Sequence, residues 1–266
     1  SANGWSTPTS WDGSALPYGT YELREVAPPE GHVLDADWSA TVEVGSQGEA
    51  ASVSLANPVA RGDLELFKVE EKTQHPIANV PFAITCDETG ERHVAVTDAD
   101  GFLSTAASHR LHTSATNSND AALSERREAS EYGEADGTFV IDETLLDDSA
   151  GIWFTGRAGS GGEDADDARG ALPYGTYTLD EVRCKTNENF KLVFGKKVTV
   201  SEDGQKDEPL MIADESRPMI ATTLTDAEGT HSTPVGGVAQ LTDSVGCTDF
   251  DPGSYLFKGS LHAVDE

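Results

Sequence analysis

The seven-residue segment ALPYGTY occurs twice in this chain, at 15–21 and again at 171–177. The two copies continue into the matched tails ELREV and TLDEV. Proline and glycine in each copy predict a tight turn, and the alternating residues that follow predict a strand. The likeness continues downstream, where Asn57 falls opposite Asp214. A repeat of this kind indicates a chain built from more than one copy of the same sheet domain.

Alternation of apolar and polar residues is also the commonest pattern elsewhere, and helical spacing of apolar residues is rare. It occurs in LELFKVE, VPFAITC, YTLDEV, KLVFGKKVTV, QLTDSV and YLFKGSL, which are separated by turn sequences such as DADG, SEDG and DPG. Short strands bounded by turns are typical of β-sandwiches. We therefore predict an all-β protein of tandem immunoglobulin-like sandwiches.

The repeat divides the chain into three predicted units. Residues 1–60 match only the second half of a domain whose complete version occupies 61–217, and 218–266 begin a third unit. The complete domain carries a long polar insertion at about 104–160, in which GTFVIDETLL and GIWFTG predict added strands. No signal peptide opens the chain and no sorting tail closes it, so we expect an internal part of a longer secreted protein.

Composition excludes several classes of function. The formal net charge of −29 repels nucleic acid and anionic membranes. There is no apolar run long enough for a membrane-spanning helix, and no phosphate-loop, dinucleotide or metal-ligand motif, so we expect no cofactor and no metal. Of the three cysteines, Cys86 and Cys184 can form one disulfide in an oxidising compartment, and buried free thiols are the alternative.

Three strands of the complete domain each place one ionisable group on an apolar face. Because strand side chains alternate with period two, Lys68 shares a face with leucines in DLELFKVE. Glu181 similarly follows apolar residues in YTLDE, and Asp214 does so in LMIAD. If these faces form one core, an amine and two carboxyls are buried together.

Such a cluster has an unusual chemical outcome. Burial lowers the pKa of an amine and raises the pKa of a carboxyl, so both groups can be neutral at the same pH. Lys68 can then attack Asp214, Glu181 can transfer the protons, and one water is lost. The resulting amide removes the buried charges. The alternatives are a plain ion pair or a lysine whose amine reaches the surface.

These residues resemble the Cna B-type, or SpaA-type, domains of Gram-positive pilins and adhesins. The resemblance rests on a lysine in LFKVE, a glutamate in LPYGTYTLDE and an acceptor in MIADESRP. It implies a prealbumin-like β-sandwich with an autocatalytic isopeptide bond between Lys68 and Asp214, assisted by Glu181. The chain departs from most relatives in its long insertion and in having aspartate rather than asparagine at position 214, so that water rather than ammonia is lost.

The outer units show partial versions of such sites. In residues 1–60, Glu25 and Asn57 match the glutamate and the acceptor, but no lysine precedes Lys68, so we expect no isopeptide bond there. The segment from 218 resembles VaFE, or T-Q ester-bond, repeats of the same class of proteins. The resemblance implies Thr222 as the ester-forming residue, and we expect no ester because the glutamine-bearing strand is not in this sequence.

The resemblance implies a non-enzymatic structural module of a stalk, adhesin or pilus-like protein, extracellular and anchored to the cell wall by a segment outside this sequence. The alternative is a binding module, in which the 104–160 insertion with Trp153 and Phe154 recognises a host glycan or matrix protein. Apart from such a host ligand, the expected partners are neighbouring domains of the same chain.

Weaker motifs have ordinary explanations. Residues 61–63 spell the integrin-binding tripeptide RGD, which is short enough to arise by chance. The acidic segments 98–101 and 163–167 lack the spacing of a calcium loop and predict a turn and a solvated loop. His109 and His112 lie in a polar stretch and are expected at the surface.

Overall fold

The computed structural model describes residues 18–45, 52–125, 139–156, 162–230, 240–250 and 252–259. These residues form an all-β protein, with fifteen strands and two short 3-10 helices among them. The start of the first predicted unit (1–17) and the centre of the insertion (126–138) lie outside the described residues. No helix in the described ranges is both long and apolar enough to cross a membrane.

The first unit contributes one antiparallel hairpin, formed by β1 (Gly19–Arg24) and β2 (Ser39–Val44). Its register pairs Tyr21 with Val42. The second unit repeats this hairpin in β11 (Gly175–Glu181) and β12 (Lys196–Val200), where Tyr177 pairs with Val198. The sequence repeat is therefore also a repeat of strand pairing.

The remaining strands of the second unit complete two facing sheets and form two further two-stranded pairs. They are β3 (Arg61–Gly62), β4 (Glu65–Glu70), β5 (Pro81–Cys86), β6 (Arg92–Val96), β7 (Phe102–Ser104), β8 (Leu123–Glu125), β9 (Phe139–Ile141), β10 (Leu172–Pro173) and β13 (Leu210–Asp214). The two further pairs are β3 with β10 and β8 with β9.

One sheet has the order β12-β11-β5-β6 and the other has the order β13-β4-β7. All pairs within them are antiparallel except β4 and β13, which run parallel. A single apolar cluster includes inward-facing side chains of both sheets, among them Leu66, Ile84, Leu103, Leu179 and Ile212. This core encloses the side chains of the candidate site.

The insertion is ordered where the structure describes it. A 3-10 helix at Ser118–Ala122 leads into the β8–β9 hairpin, and a second follows at Glu143–Leu145. Phe139 packs against Ala83 and Val182, so the hairpin covers part of the four-stranded sheet. One predicted strand is therefore present at β9.

The predicted strand GIWFTG is wrong. Its backbone is buried, but its N–H groups bond to unrelated partners rather than to one neighbouring strand. Trp153 donates to the side chain of Asn117, and Phe154 donates to the carbonyl of Ala171. No ladder forms because the partners come from different segments of the chain.

The third unit contributes the hairpin of β14 (Met219–Thr225) and β15 (Thr242–Thr248). The two strands pair in antiparallel register, with Thr222 opposite Val245. The strand predicted at YLFKGSL is not observed. Its described residues, 255–259, are exposed and have no strand pairing.

Candidate functional site

Lys68 lies in the middle of β4 with its whole side chain inside the sandwich. Its exposed fraction is 0%, as for Leu66 two residues earlier on the same face. The ammonium nitrogen is 5.9 Å from the ring centroid of Phe82 on the facing sheet. The strand period therefore directs a lysine into the apolar core, and the amine does not reach solvent.

Asp214 reaches this amine from the last strand of the domain. The parallel pairing places Ile212 opposite Lys68, and Asp214 is two residues further on the same face. The carboxyl group is also 0% exposed, and its Oδ1 contacts Lys68 Nζ directly. Within the described residues, the buried Oδ2 has no hydrogen-bond partner. Burial, and then the charge of nearby Glu181, raise the pKa of Asp214 to about 7.

Glu181 completes the cluster from the opposite sheet. It ends β11, where it pairs with Phe82 of β5. Its Oε2 accepts hydrogen bonds from Lys68 Nζ at 2.9 Å and from the backbone N–H of Val193 at 3.0 Å. The three predicted residues therefore meet in one buried site, with the amine between two carboxyls.

A fourth side chain belongs to this site and was missed by sequence reasoning. Asn187 is 0% exposed, and its Nδ2 donates to Glu181 Oε1 at 2.8 Å. It lies in the polar loop KTNENF, where strand periodicity gives no information about side-chain direction. No sequence signal identified it.

The chemistry available here follows from burial. An ammonium and two carboxylates without solvent cost several kcal/mol per ion even after relaxation, and only part of this is returned by their attraction. Proton transfer within the cluster lowers the number of charges. In the described residues, no group of three or more histidine, cysteine or acidic side chains has the geometry of a metal site.

The first unit contains the predicted counterpart pair. Asn57 Nδ2 donates to Glu25 Oε2 at 2.7 Å and to the carbonyl of Val33 at 3.0 Å. Lys68, the first lysine of the sequence, is engaged in the second unit. Within the described residues, the glutamate and the acceptor thus meet without a lysine beside them.

Thr222 lies on β14 with Ile220 and Leu224 at alternate positions, as the sequence predicts. All three are exposed in the described structure. The ester assignment remains a prediction.

Of the two alternatives that the sequence leaves open for Cys86 and Cys184, the structure shows buried free thiols and no disulfide between them. Antiparallel pairing explains why. Cys86 lies opposite Tyr177, whereas Glu181 lies opposite Phe82, and Cys184 comes three residues after Glu181. The two cysteines therefore lie at opposite ends of the β5–β11 pair, separated by roughly 20 Å at the usual rise of a strand.

The residues proposed for ligand recognition in the insertion are core residues. Trp153 and Phe154 are 2% and 0% exposed, and the Trp153 indole donates to the carbonyl of Glu163 at 2.8 Å. Neither ring can offer a face to a glycan or protein. The prediction that these two aromatic residues form a binding surface is wrong.

Arg61, from the RGD tripeptide, is buried with them. Its guanidinium lies 3.6 Å from the Trp153 ring centroid and donates to the carbonyls of Phe154, Gly170 and Ala171. The tripeptide is therefore not displayed for an integrin. The surface position expected for the second histidine is also wrong, because His112 is fully buried and bonded through both ring nitrogens to backbone carbonyls.

Comparison with known proteins gives structural matches only. No family model matches the sequence, and no curated protein matches it. The Bacillus anthracis TIE protein is similar over 88% of this chain and 35% of its own, with 17% identity and a TM-score of 0.42. A streptococcal ancillary pilin matches over 77% of this chain and 44% of its own, with 15% identity and a TM-score of 0.32.

A variant of BcpA, the major pilin subunit of Bacillus cereus, is similar over 76% of this chain and 40% of its own. Its identity is 13% and its TM-score is 0.31. The chain thus spans less than half the length of each of these three proteins.

Proposed function

We propose that this chain is part of a structural stalk of a bacterial surface protein, in which the second unit is closed by an amide between Lys68 and Asp214. The observation that carries the proposal is the contact of one fully buried amine with two fully buried carboxyls. A contribution to stability alone does not explain why these charges are buried, because apolar residues of similar volume are often at least as stabilising as a buried ion pair.

The proposed reaction starts with a protonated Lys68, an ionised Glu181 and a protonated Asp214. The raised pKa of Asp214, about 7, provides the last of these forms near neutral pH. Glu181 first takes a proton from the ammonium, which leaves a neutral amine. The nitrogen lone pair attacks the carboxyl carbon of Asp214, and Glu181 returns its proton to the departing hydroxyl.

The tetrahedral nitrogen then loses its second proton to Glu181. The products are an amide N–H, one water and a neutral Glu181, so the ammonium and the carboxylate are both gone. Nothing is oxidised or reduced. The reaction occurs once within one molecule, which distinguishes it from the turnover of an enzyme.

The consequence of the bond is mechanical. It joins the parallel strands β4 and β13, near the two ends of a domain whose linked residues are 146 positions apart. On the loop-entropy model used for disulfides, such a cross-link lowers the entropy of the unfolded chain and raises the free energy of unfolding by about 5 kcal/mol. Force applied along the chain passes through the amide and bypasses the sandwich.

Three further features support a stalk. The paired hairpins β1–β2 and β11–β12 repeat one register in successive units, as in an array of domains. The units are joined closely: Tyr174 Oη donates to Glu30 at 2.7 Å, and Tyr174 N donates to the carbonyl of Ala60. The net charge of −29 suits an exposed protein whose copies repel one another and do not aggregate. An extracellular, wall-anchored location is part of this proposal.

Single-molecule extension from both ends tests the function. The parent chain should never release the segment between residues 68 and 214, whereas the Lys68→Met chain should release roughly 500 Å of additional contour length. Lys72→Met is the matched control, because Lys72 is an exposed lysine on the turn after β4 and its ion pair is with Asp249. Equal extension of the parent and Lys68→Met chains would contradict the proposal.

A further inference from the structure

The side chain of Asn187 is held at both ends of its amide. Nδ2 donates to Glu181 Oε1 at 2.8 Å and to the carbonyl of Val182 at 3.0 Å. Oδ1 accepts from the backbone N–H of Cys184 at 2.8 Å. A flipped amide would face the N–H of Cys184 with a donor and the carboxylate with an acceptor, so the hydrogen-bond network permits one orientation.

This arrangement divides the two oxygens of Glu181 between two tasks. Oε1 is occupied by Asn187, and Oε2 faces Lys68 Nζ and the backbone N–H of Val193. Without the Asn187 donor, Oε1 would be a buried polar atom lacking this partner, and rotation of the carboxyl would be less restricted. The amide therefore directs one defined oxygen toward the reacting amine.

The first unit provides an internal comparison. In both units, the loop after the glutamate ends at an isolated bridge, formed by His32 in one case and by Phe190 in the other. Glu25 precedes His32 by seven residues, whereas Glu181 precedes Phe190 by nine. The shorter loop, VAPPEG, contains no side-chain amide.

The first unit thus lacks an equivalent of Asn187 in this loop, and Glu25 instead accepts directly from Asn57. Both units keep the same hairpin register, so the hairpin itself does not require the amide.

We propose that Asn187 is a positioning residue that fixes Glu181 for proton transfer between Lys68 and Asp214. This inference rests on the proposed condensation. Asn187 touches neither reacting atom and acts only through the carboxyl of Glu181. Its loss should slow bond formation about 10- to 100-fold, the range expected when a catalytic group is displaced by up to about 1 Å.

The test uses Asn187→Asp, which preserves size and the acceptor for Cys184 but replaces the donor. Unfolded chain recovered from inclusion bodies is refolded at a series of pH values, and the fraction lacking one water is followed by intact mass. An ionised replacement carboxyl cannot donate to Glu181, whereas a protonated one can. Relative to the parent, the variant should be slow at neutral pH and recover as the pH is lowered.

Asn119→Asp is the matched control. Asn119 is also buried, but both ends of its side-chain amide bond to the backbone of Asp147, away from the site. A merely structural role for Asn187 predicts that both variants lose and recover their rates with the same pH dependence. That result, or parental rates in folded Asn187→Asp protein, would overturn the inference.

A second measurement tests the inference even if the Asn187→Asp variant does not fold. In uncondensed Lys68→Met protein, the side-chain amide protons of Asn187 should be protected from exchange, and their NMR shifts should move on Glu181→Gln substitution. Exchange-exposed or unresponsive protons would overturn the inference. Full mass in the parent chain would instead refute the condensation itself, so the two failures are distinguishable.

Discussion

Asp214 lies two residues beyond the strand partner of Lys68, and this short offset brings their side chains into contact inside the sandwich. The pairing of β4 and β13 is the only parallel pairing among the described strand pairs of the two facing sheets. Residues paired across neighbouring strands point to the same face of the sheet, and so do residues two apart on one strand. Lys68, its partner Ile212 and Asp214 therefore all point into the core. The contact follows from topology and does not depend on a flexible loop.

Replacing Glu181 by glutamine should remove the proton carrier while keeping the shape of the side chain. Bond formation should slow by about 100-fold or more, the usual contribution of a positioned acid or base. Intact mass after refolding measures the effect.

Glu25→Gln is the matched control for this variant. Glu25 occupies the equivalent place in the first unit, where it contacts Asn57 and no lysine. Condensation between Lys68 and Asp214 should proceed at the parental rate in this control. If Glu181→Gln condenses as fast as Glu25→Gln, the assigned role of Glu181 is wrong.

The rate of condensation should depend on pH through Asp214. Burial raises the pKa of its carboxyl to about 7, and only the protonated acid has a hydroxyl that leaves as water. The rate should therefore decrease as pH rises through about 7. Refolding the unreacted chain in buffers on either side of this value, with mass as the readout, checks the direction; a rate that increases through this range would contradict it.

A second ionisable cluster should make the stability of the insertion depend on pH. His93 bonds to Asp120 at 2.7 Å and to Glu91 at 3.1 Å. Burial alone would lower the pKa of His93, but these two carboxylates outweigh it and raise the pKa to about 9. Because the folded pKa exceeds the unfolded one, the stabilisation is complete below about pH 6.5 and is lost as pH rises through about 9.

Thermal unfolding of the parent and of His93→Gln measures this contribution. The variant should be less stable than the parent at pH 6, and the difference should shrink by pH 10. His32→Gln is a suitable control, because that histidine lies in the first unit and its ring bonds to the backbone carbonyl of Glu30. A difference between parent and His93→Gln that stays constant with pH would contradict the assignment.

The cysteines should all react as free thiols. Cys86 and Cys184 are buried and Cys247 is exposed. An alkylating reagent without reductant should label one cysteine in the folded protein and three after denaturation. Labelling of only one cysteine in denatured, unreduced protein would indicate that a disulfide is present after all.

The site was predictable because strand period alone determines which side chains enter a sandwich core. Applied to the sequence, that rule places Lys68, Glu181 and Asp214 on apolar faces. The pairing of β4 with β13 and the common core of the two sheets then bring these faces into one interior. It does not extend to Asn187, whose direction depends on how the loop after β11 folds over the carboxyl of Glu181.

What the sequence left open or predicted wrongly has a related cause. Pairing of Cys86 with Cys184 required the order and register of β5 and β11, which local patterns do not contain. Trp153 and Phe154 lie in a polar insertion, and composition of the surrounding loop did not reveal that Arg61 holds this segment inside the domain through its carbonyl contacts.

Intact mass under denaturing conditions, followed by tandem spectra of the digested chain, shows directly whether Lys68 and Asp214 have condensed. We expect a mass lower than the calculated value by one water, with no loss of ammonia at Asn57, and a branched peptide joining Lys68 to Asp214. The Lys68→Met chain should have its full calculated mass. A parent chain of full mass, with Lys68 and Asp214 in separate unmodified peptides, would contradict the account.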